Sequence, residues 1–188
     1  MTWCVMKVVF LDRDGVINED RDDYVRSVHE LNVFPYVPRC IRQLNDAGFE
    51  VIVVSNQQGV AKGLYSDGDL EEMQAEIVRQ VSSAGGRITA FYYCMHLASD
   101  GCACRKPQPG LLTRAAKEHD ISLPDSYMVG DTERDIMAGK RAGCKTVLVL
   151  TRMITEQEAA HIPCRPDFVA ADLRAAVDYL TGEMSVES

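Results

Sequence analysis

Five short apolar runs, at residues 8–11, 51–55, 88–93, 127–129 and 146–150, alternate with helical patterns along the chain. Runs of this length, bounded by turn residues, read as strands. Between them residues 38–47 read as a helix closed by Gly48. Ser66 reads as the cap of a second helix, which places Leu70, Met73, Ile77 and Val81 on one face. Further helices are expected over 110–119, over 133–142 with Gly143 just past the end, and near 172–180. Strands alternating with helices specify an α/β fold, a mainly parallel sheet covered on both faces. In such a sheet the ligand site lies beyond the carboxyl ends of the strands. Asp12, Ser55, Cys94 and Asp131 each fall at or just past such an end. The pattern therefore puts four polar stations on one rim.

The first station is the sharpest. A buried strand at 8–11 delivers Asp12 and Asp14 into a turn at Gly15. Residues i and i+2 of an extended chain point the same way, so both carboxylates are expected to converge. Converging carboxylates repel unless a cation or proton lies between them, and a hard divalent ion such as Mg2+ is the common solution. A strand followed by a plain polar turn is the alternative for this segment alone. At the second station Ser55, Asn56 and Gln57 precede Gly59, so a hydroxyl, amides and backbone N–H groups can donate to phosphate oxygens. The third is Arg105-Lys106-Pro107, a cationic pair in a loop stiffened by Pro107 and Pro109, which suits a fixed anion site. At the fourth, Asp131 can join the first carboxylates around one metal. Asp135, one helical turn on, either orients that site or stabilises the helix start.

Charge sets a condition on any anionic ligand. The chain of 188 residues, the size of one domain, has 20 Lys and Arg against 28 Asp and Glu, a net charge of −8. That balance excludes nucleic acid or an anionic membrane as the main partner, so an anion has to be held by local positive charge. No apolar run is long enough to span a membrane, and Asp12 interrupts the early apolar stretch where a signal peptide would need continuity. Nothing reads as an exposed apolar dimer seam, so a monomer is expected. Seven cysteines, with Cys94, Cys102 and Cys104 crowded beside His96, fit a reducing, cytoplasmic compartment better than a disulfide framework. Three thiolates and an imidazole can complete a closed tetrahedral Zn2+ shell, which is a structural rather than a catalytic arrangement. Cys4, Cys40, Cys144 and Cys164 read as buried single thiols. Because Cys104 adjoins Arg105, the metal clamp is expected to fix the loop that presents the cations.

In this order the stations resemble the four motifs of the haloacid dehalogenase superfamily of phosphatases, carried by Asp12-Arg13-Asp14-Gly15, Ser55, Lys106 and Asp131. The resemblance runs from Val8 to about Leu150. It implies a Rossmann-like three-layer sandwich forming one nearly capless domain over 1–188, with the zinc loop at 94–104. It also implies that Asp12 attacks phosphorus to form an aspartyl-phosphate and that Asp14 is the general acid and then the base. The Asp12 carboxylate, the Asp14 backbone carbonyl and the Asp131 carboxylate would hold Mg2+, while Ser55 and Lys106 bind the transferring phosphoryl group. The zinc loop followed by Arg-Lys-Pro is similar to a group that contains heptose-1,7-bisphosphate and histidinol-phosphate phosphatases. The segment Asn56-Gln57-Gln58-Gly59-Val60-Ala61-Lys62-Gly63 is closer to the heptose enzymes. Met95 departs from a frequent Pro there, and Ser55 stands where Thr is common. By that resemblance Arg105 meets a second phosphate or sugar groups, and Asn56, Gln57 and the loop at 20–23 recognise hydroxyls of a small phosphorylated sugar. The expected activity is removal of the 7-phosphate of D-glycero-D-manno-heptose 1,7-bisphosphate, a step toward cell-surface glycans. The alternatives are the same chemistry on histidinol phosphate, or a non-catalytic zinc-stabilised binding module. The second is disfavoured because Asp12 and Asp14 are both present.

Overall fold

The computed structural model describes residues 6–151 and 154–182. Its elements run β1 (Val8–Leu11), α1 (Val37–Asp46), β2 (Glu50–Asn56), α2 (Asp67–Ser83), β3 (Ala90–Cys94), α3 (Gly110–His119), β4 (Tyr127–Gly130), α4 (Glu133–Ala142), β5 (Lys145–Val149), α5 (Glu156–Ala159), β6 (Phe168–Ala170) and α6 (Leu173–Thr181). The strands form one sheet in the order β3-β2-β1-β4-β5-β6, with every neighbouring pair parallel. The chain thus winds outward from β1 in both directions, and the order reverses between β1 and β4. That reversal opens a crevice at the strands' carboxyl ends.

The period of two within β1 builds both faces. Val9 and Leu11 pack with α1, α2 and α6 through Ile41, Leu44, Ile77, Val81 and Val177. Val8 and Phe10 pack on the other face with Leu111, Leu112 and Ala115 of α3 and Ala138 of α4. All four β1 residues are fully buried, and full burial of such side chains is worth roughly 1.5–3 kcal/mol each. The result is the expected three-layer sandwich. Residues 12–36 carry no inserted helix or sheet. They are turns closed by a bridge from Asn18 to Val33, in keeping with a nearly capless fold.

Helix α2 starts where expected: the Ser66 hydroxyl accepts from the Asp69 N–H at 3.2 Å, and the Asp69 carboxylate accepts from the Ser66 N–H at 2.7 Å. Two elements lie outside the expected set. β6 is three residues set among polar neighbours, and α5 is a single turn. The expected strand at 88–93 begins later, at Ala90, and includes Cys94. Cys40 and Cys144 are buried as expected, whereas Cys164 is only half-buried, and Cys4 lies outside the described residues. Among the described residues no helix is long and apolar enough to cross a membrane.

Candidate active site

The four stations meet in a cleft of about 360 Å³ over the crevice between β1 and β4. Asp12, Asp14, Ser55, Asn56, Gln57, Arg105, Lys106 and Asp131 all line it. A larger hollow of about 770 Å³, lined in part by Phe34, Tyr36, Leu150 and Leu173, adjoins it and shares Asp20, Arg21 and Asp22.

Carboxylate oxygens of Asp12, Asp131 and Asp135 lie within 4.8 Å of one another. One buried cation faces them. Lys106 Nζ donates to the Val54 carbonyl at 2.9 Å and lies 2.9 Å from Asp12 Oδ1. It also lies 2.6 Å from Asp135 Oδ1, which it meets off the hydrogen-bonding angle. Burial, only partly offset by Lys106 and reinforced by Asp135 and Asp14, raises the Asp12 carboxyl to about 7. Burial and then the Asp12 and Asp135 carboxylates raise Asp131 to about 8. Three acids against one ammonium leave an excess of negative charge in a desolvated place. A hard divalent cation fits that donor set and cancels the excess.

Glycine makes the approach possible. Gly15 has φ +85°, and a Cβ there would lie 2.0 Å from Asp131 Oδ2. A side chain at 15 would therefore be strained and would also displace Asp131. Asp135 serves both of its expected roles. Its Oδ2 accepts from the Thr132 N–H at 3.1 Å and from the Thr132 hydroxyl at 2.6 Å, at the start of α4, while its Oδ1 faces Lys106.

Asp14 departs from expectation: its carboxylate lies outside the cluster of Asp12, Asp131 and Asp135. The buried Arg13 donates to its Oδ1 from Nε at 3.0 Å and Nη2 at 2.8 Å, and Asn18 Nδ2 adds a third bond at 2.9 Å. Gln57 Nε2 donates to its Oδ2 at 2.8 Å. Burial opposes ionisation, yet Arg13, Asn18 and Gln57 outweigh it and hold this carboxyl below its usual range. The extended-chain argument fails because the chain turns at once: the N–H groups of Val16, Ile17 and Asn18 all bond back to the Arg13 carbonyl.

The amides also differ from expectation. Asn56 donates from Nδ2 to the Lys106 carbonyl at 3.0 Å and accepts from the Lys106 N–H at 3.0 Å. Both ends of its amide therefore brace the cation loop. Gln57 is buried, with Nε2 on Asp14 and Ser55 and Oε1 on Tyr65, so it too works inside the protein. Ser55 Oγ accepts from Gln57 at 2.9 Å, which leaves its O–H proton to donate. Arg105 is half-buried at the rim, with Nη1 3.5 Å from the His96 carbonyl. Arg141 braces the same loop from α4, donating to the Pro107 carbonyl at 2.9 Å. The roles of Arg13 and Asn18 escaped sequence reasoning, whereas Tyr24 ends the loop from Glu19 that the resemblance places against the sugar. Tyr24, with φ +70°, lines the cleft and accepts from Gln58 Nε2 and Lys62 Nζ at 2.9 and 2.8 Å.

Beside the cleft, Cys94, His96, Cys102 and Cys104 converge. Cys104 Sγ lies 3.3 Å from Cys94 Sγ, 3.4 Å from Cys102 Sγ and 3.2 Å from His96 Nδ1. Cys94 Sγ is 3.6 Å from both Cys102 Sγ and His96 Nδ1. Metal bonds of about 2.0–2.3 Å give tetrahedral edges of about 3.3–3.8 Å, so the group has the size of a metal shell. Burial, followed by the interaction with Cys104, pushes the Cys94 thiol up to about 12. The Gln57 N–H donates to the Cys94 carbonyl at 2.7 Å, joining this group to the second station.

A model of the HAD-hydrolase-like family matches residues 103–176. A D-glycero-beta-D-manno-heptose-1,7-bisphosphate 7-phosphatase of Pseudomonas putida is 41% identical over 146 residues, 78% of this chain and 83% of that protein. The enzyme of the same name from Helicobacter pylori strain J99 is 33% identical over 175 residues, 93% and 97% of the two chains. The crystal structure of D,D-heptose 1,7-bisphosphate phosphatase from B. bronchiseptica, complexed with magnesium and phosphate, superposes with a TM-score of 0.87 at 35% identity, covering 95% of this chain and all of that one. An acid-lined crevice at the switch point of this sheet, with these relatives, defines a phosphatase fold of the haloacid dehalogenase type. Within that class the chain belongs to the D-glycero-D-manno-heptose-1,7-bisphosphate 7-phosphatase family.

Proposed function

We propose that this chain is a Mg2+-dependent phosphomonoesterase that removes the 7-phosphate of D-glycero-D-manno-heptose 1,7-bisphosphate. The observation that carries the reading is the cluster of Asp12, Asp131 and Asp135 facing Lys106, at the carboxyl ends of β1 and β4. Asp12, the Asp14 backbone carbonyl and Asp131 would hold Mg2+. When bound, the ion neutralises the repulsion between Asp12 and an anionic ester and stabilises charge on the phosphoryl oxygens. Asp12 is the nucleophile, oriented by the Arg13 N–H at 2.7 Å from its Oδ1. A bond forms from its carboxylate oxygen to phosphorus while the ester P–O bond breaks, its electron pair passing to the leaving oxygen. Asp14, ionised in the ester-free site, takes up a proton from solvent as the anionic ester binds, gives it to that oxygen, and then as a carboxylate takes one from the water that splits the aspartyl-phosphate. Ser55 and Lys106 hold the transferring group. Arg105, at the rim, takes the second phosphate through its planar fork.

The Cys94, His96, Cys102 and Cys104 group is read as a structural Zn2+ site, supported by its closed donor set and its edge lengths. The chain is taken as one cytoplasmic domain over 1–188, acting as a monomer on a small phosphorylated sugar with no nucleic-acid or membrane partner. The test is a substrate panel: both anomers of the heptose bisphosphate, histidinol phosphate and simple phosphate esters, each with and without Mg2+. A heptose bisphosphate is expected to give the highest kcat/KM, with none measurable once Mg2+ is chelated. Preference for histidinol phosphate would overturn the substrate assignment.

A further inference from the structure

Behind Asp14 lies a buried chain of hydrogen bonds that the proposed chemistry does not use directly. Tyr65, 7% exposed, donates its hydroxyl to Gln57 Oε1 at 2.6 Å. Gln57, 2% exposed, spends both amide hydrogens: one on Asp14 Oδ2 at 2.8 Å and one on Ser55 Oγ at 2.9 Å. The Tyr65 ring lies against Gly59, where a Cβ would come within 2.1 Å of a ring carbon and 2.8 Å of the hydroxyl.

The polarity of this chain matters because a glutamine amide can turn over. In the observed orientation Gln57 offers Asp14 an N–H, which can only donate. Turned by half a rotation it would offer Oε1, which can accept. The two oxygens of Asp14 are not equivalent. Oδ1 takes three donors, two from Arg13 and one from Asn18, whereas among the described residues Gln57 alone donates to Oδ2. With Oδ1 taken by three donors, Oδ2 is the oxygen left to take up the acid proton in the ester-loaded site. A turned Gln57 would capture that proton in a hydrogen bond of its own and withhold it from the leaving oxygen. The same turn would withdraw a donor from Ser55 Oγ.

We propose that Tyr65 is a positioning residue which, by holding Gln57 Oε1, keeps Gln57 a donor toward Asp14 and so leaves the acid proton of Asp14 aimed at the leaving group. The inference rests on the general-acid role assigned to Asp14 above. At the step concerned the Asp14 O–H bond breaks, its proton joins the leaving oxygen, and the P–O bond breaks as the bond from Asp12 forms. Tyr65 exchanges no atom.

Leaving-group dependence in the first turnover gives the test. An alkyl leaving group such as the heptose 7-oxygen needs protonation, whereas p-nitrophenolate leaves without it. Rapid-quench and stopped-flow measurements on the Mg2+- and Zn2+-loaded enzyme follow release from the heptose bisphosphate and from p-nitrophenyl phosphate. Tyr65→Phe is expected to slow the first by about tenfold and the second by less than twofold, with KM for the bisphosphate unchanged within about twofold. Gly59→Ala, whose Cβ would push both the ring and its hydroxyl away from Gln57, is expected to give the same selectivity and carries the test alone should Tyr65→Phe not fold. Equal slowing of both substrates, or no slowing of either, overturns the proposal. Asp14→Asn separates the two layers of argument. A loss of more than about 10²-fold confined to the alkyl ester upholds Asp14 as the acid. A loss without leaving-group dependence removes that role, and the inference falls with it.

Discussion

The two clusters with metal-binding chemistry sit side by side and are built in opposite ways. The Cys94–His96–Cys102–Cys104 group is local, assembled within eleven residues, made of soft donors, and partly exposed. The Asp12–Asp131–Asp135 group is assembled by topology: residues more than a hundred positions apart meet because β4 lies beside β1. Its donors are hard and largely buried, with one ammonium among three carboxylates. The first group closes on itself and holds a loop. The second carries unbalanced charge, and that imbalance gives it a cation to bind and a phosphoryl group to receive. On the proposed reading, structural and reactive metal chemistry are distinguished by donor type and by how far the donors are from neutrality.

The largest effects should come from breaking the buried group. Asp12→Asn keeps shape and removes the nucleophile, so turnover should fall by about 10⁴-fold or more while helix content and zinc content hold. Phosphate release, circular dichroism and metal analysis check this together. Hydrolysis near the wild-type rate would remove Asp12 from the mechanism. Lys106→Met should cost both activity and stability. It leaves Asp12 and Asp135 without their buried cation, a loss of about 3–5 kcal/mol that chemical denaturation measures. Added Mg2+ should restore part of that stability and little of the turnover.

The local group should respond more mildly. Cys104→Ser is expected to release zinc and lower kcat/KM by about 10–100-fold through the loosened Arg105–Lys106 loop, with circular dichroism little changed. Unchanged kinetics in a verified zinc-free protein would uncouple the two groups.

The smallest effect concerns pH. Burial, together with neighbouring carboxylates, raises Asp12 to about 7 and Asp131 to about 8. Without metal, the folded chain keeps protons there that the unfolded chain has already released. Those two groups therefore cost stability above about pH 8, and the cost fades as pH falls through about 7 toward the ordinary carboxylate range. Mg2+ binds the charged form, so the rise in Tm on adding it should grow from near zero at about pH 5.5 to about 3–8 °C at about pH 8.5. A rise independent of pH would contradict the assignment of these carboxylates as the binding groups.

The sequence displayed these two groups unequally. The thiol cluster is contiguous, so its ligand set was readable residue by residue. The strand-end positions of Asp12, Ser55 and Asp131 were readable as well, because alternating strands and helices fix which ends share a rim. What the sequence hid is the destination of long or turning side chains. Asn56 and Gln57 looked free to recognise a substrate, yet Asn56 closes on Lys106, fifty residues away, and Gln57 on Asp14, forty-three away. Asp14 was expected to join Asp12, but the turn that folds onto the Arg13 carbonyl hands its carboxylate to Arg13 and Asn18. β6 stayed hidden because three residues cannot show a period, and its pairing with β5 supplies what its pattern lacks.

The division of labour between the two groups is tested most directly by exchanging their metals independently in one preparation. Protein carrying one zinc per chain is stripped of Mg2+ with a weak chelator, and heptose bisphosphate turnover is followed as Mg2+ is returned. Turnover is expected to vanish and then recover fully while zinc stays at one per chain. Turnover that persists without Mg2+, or that tracks zinc content, would contradict the assignment of the carboxylate group as the reactive centre.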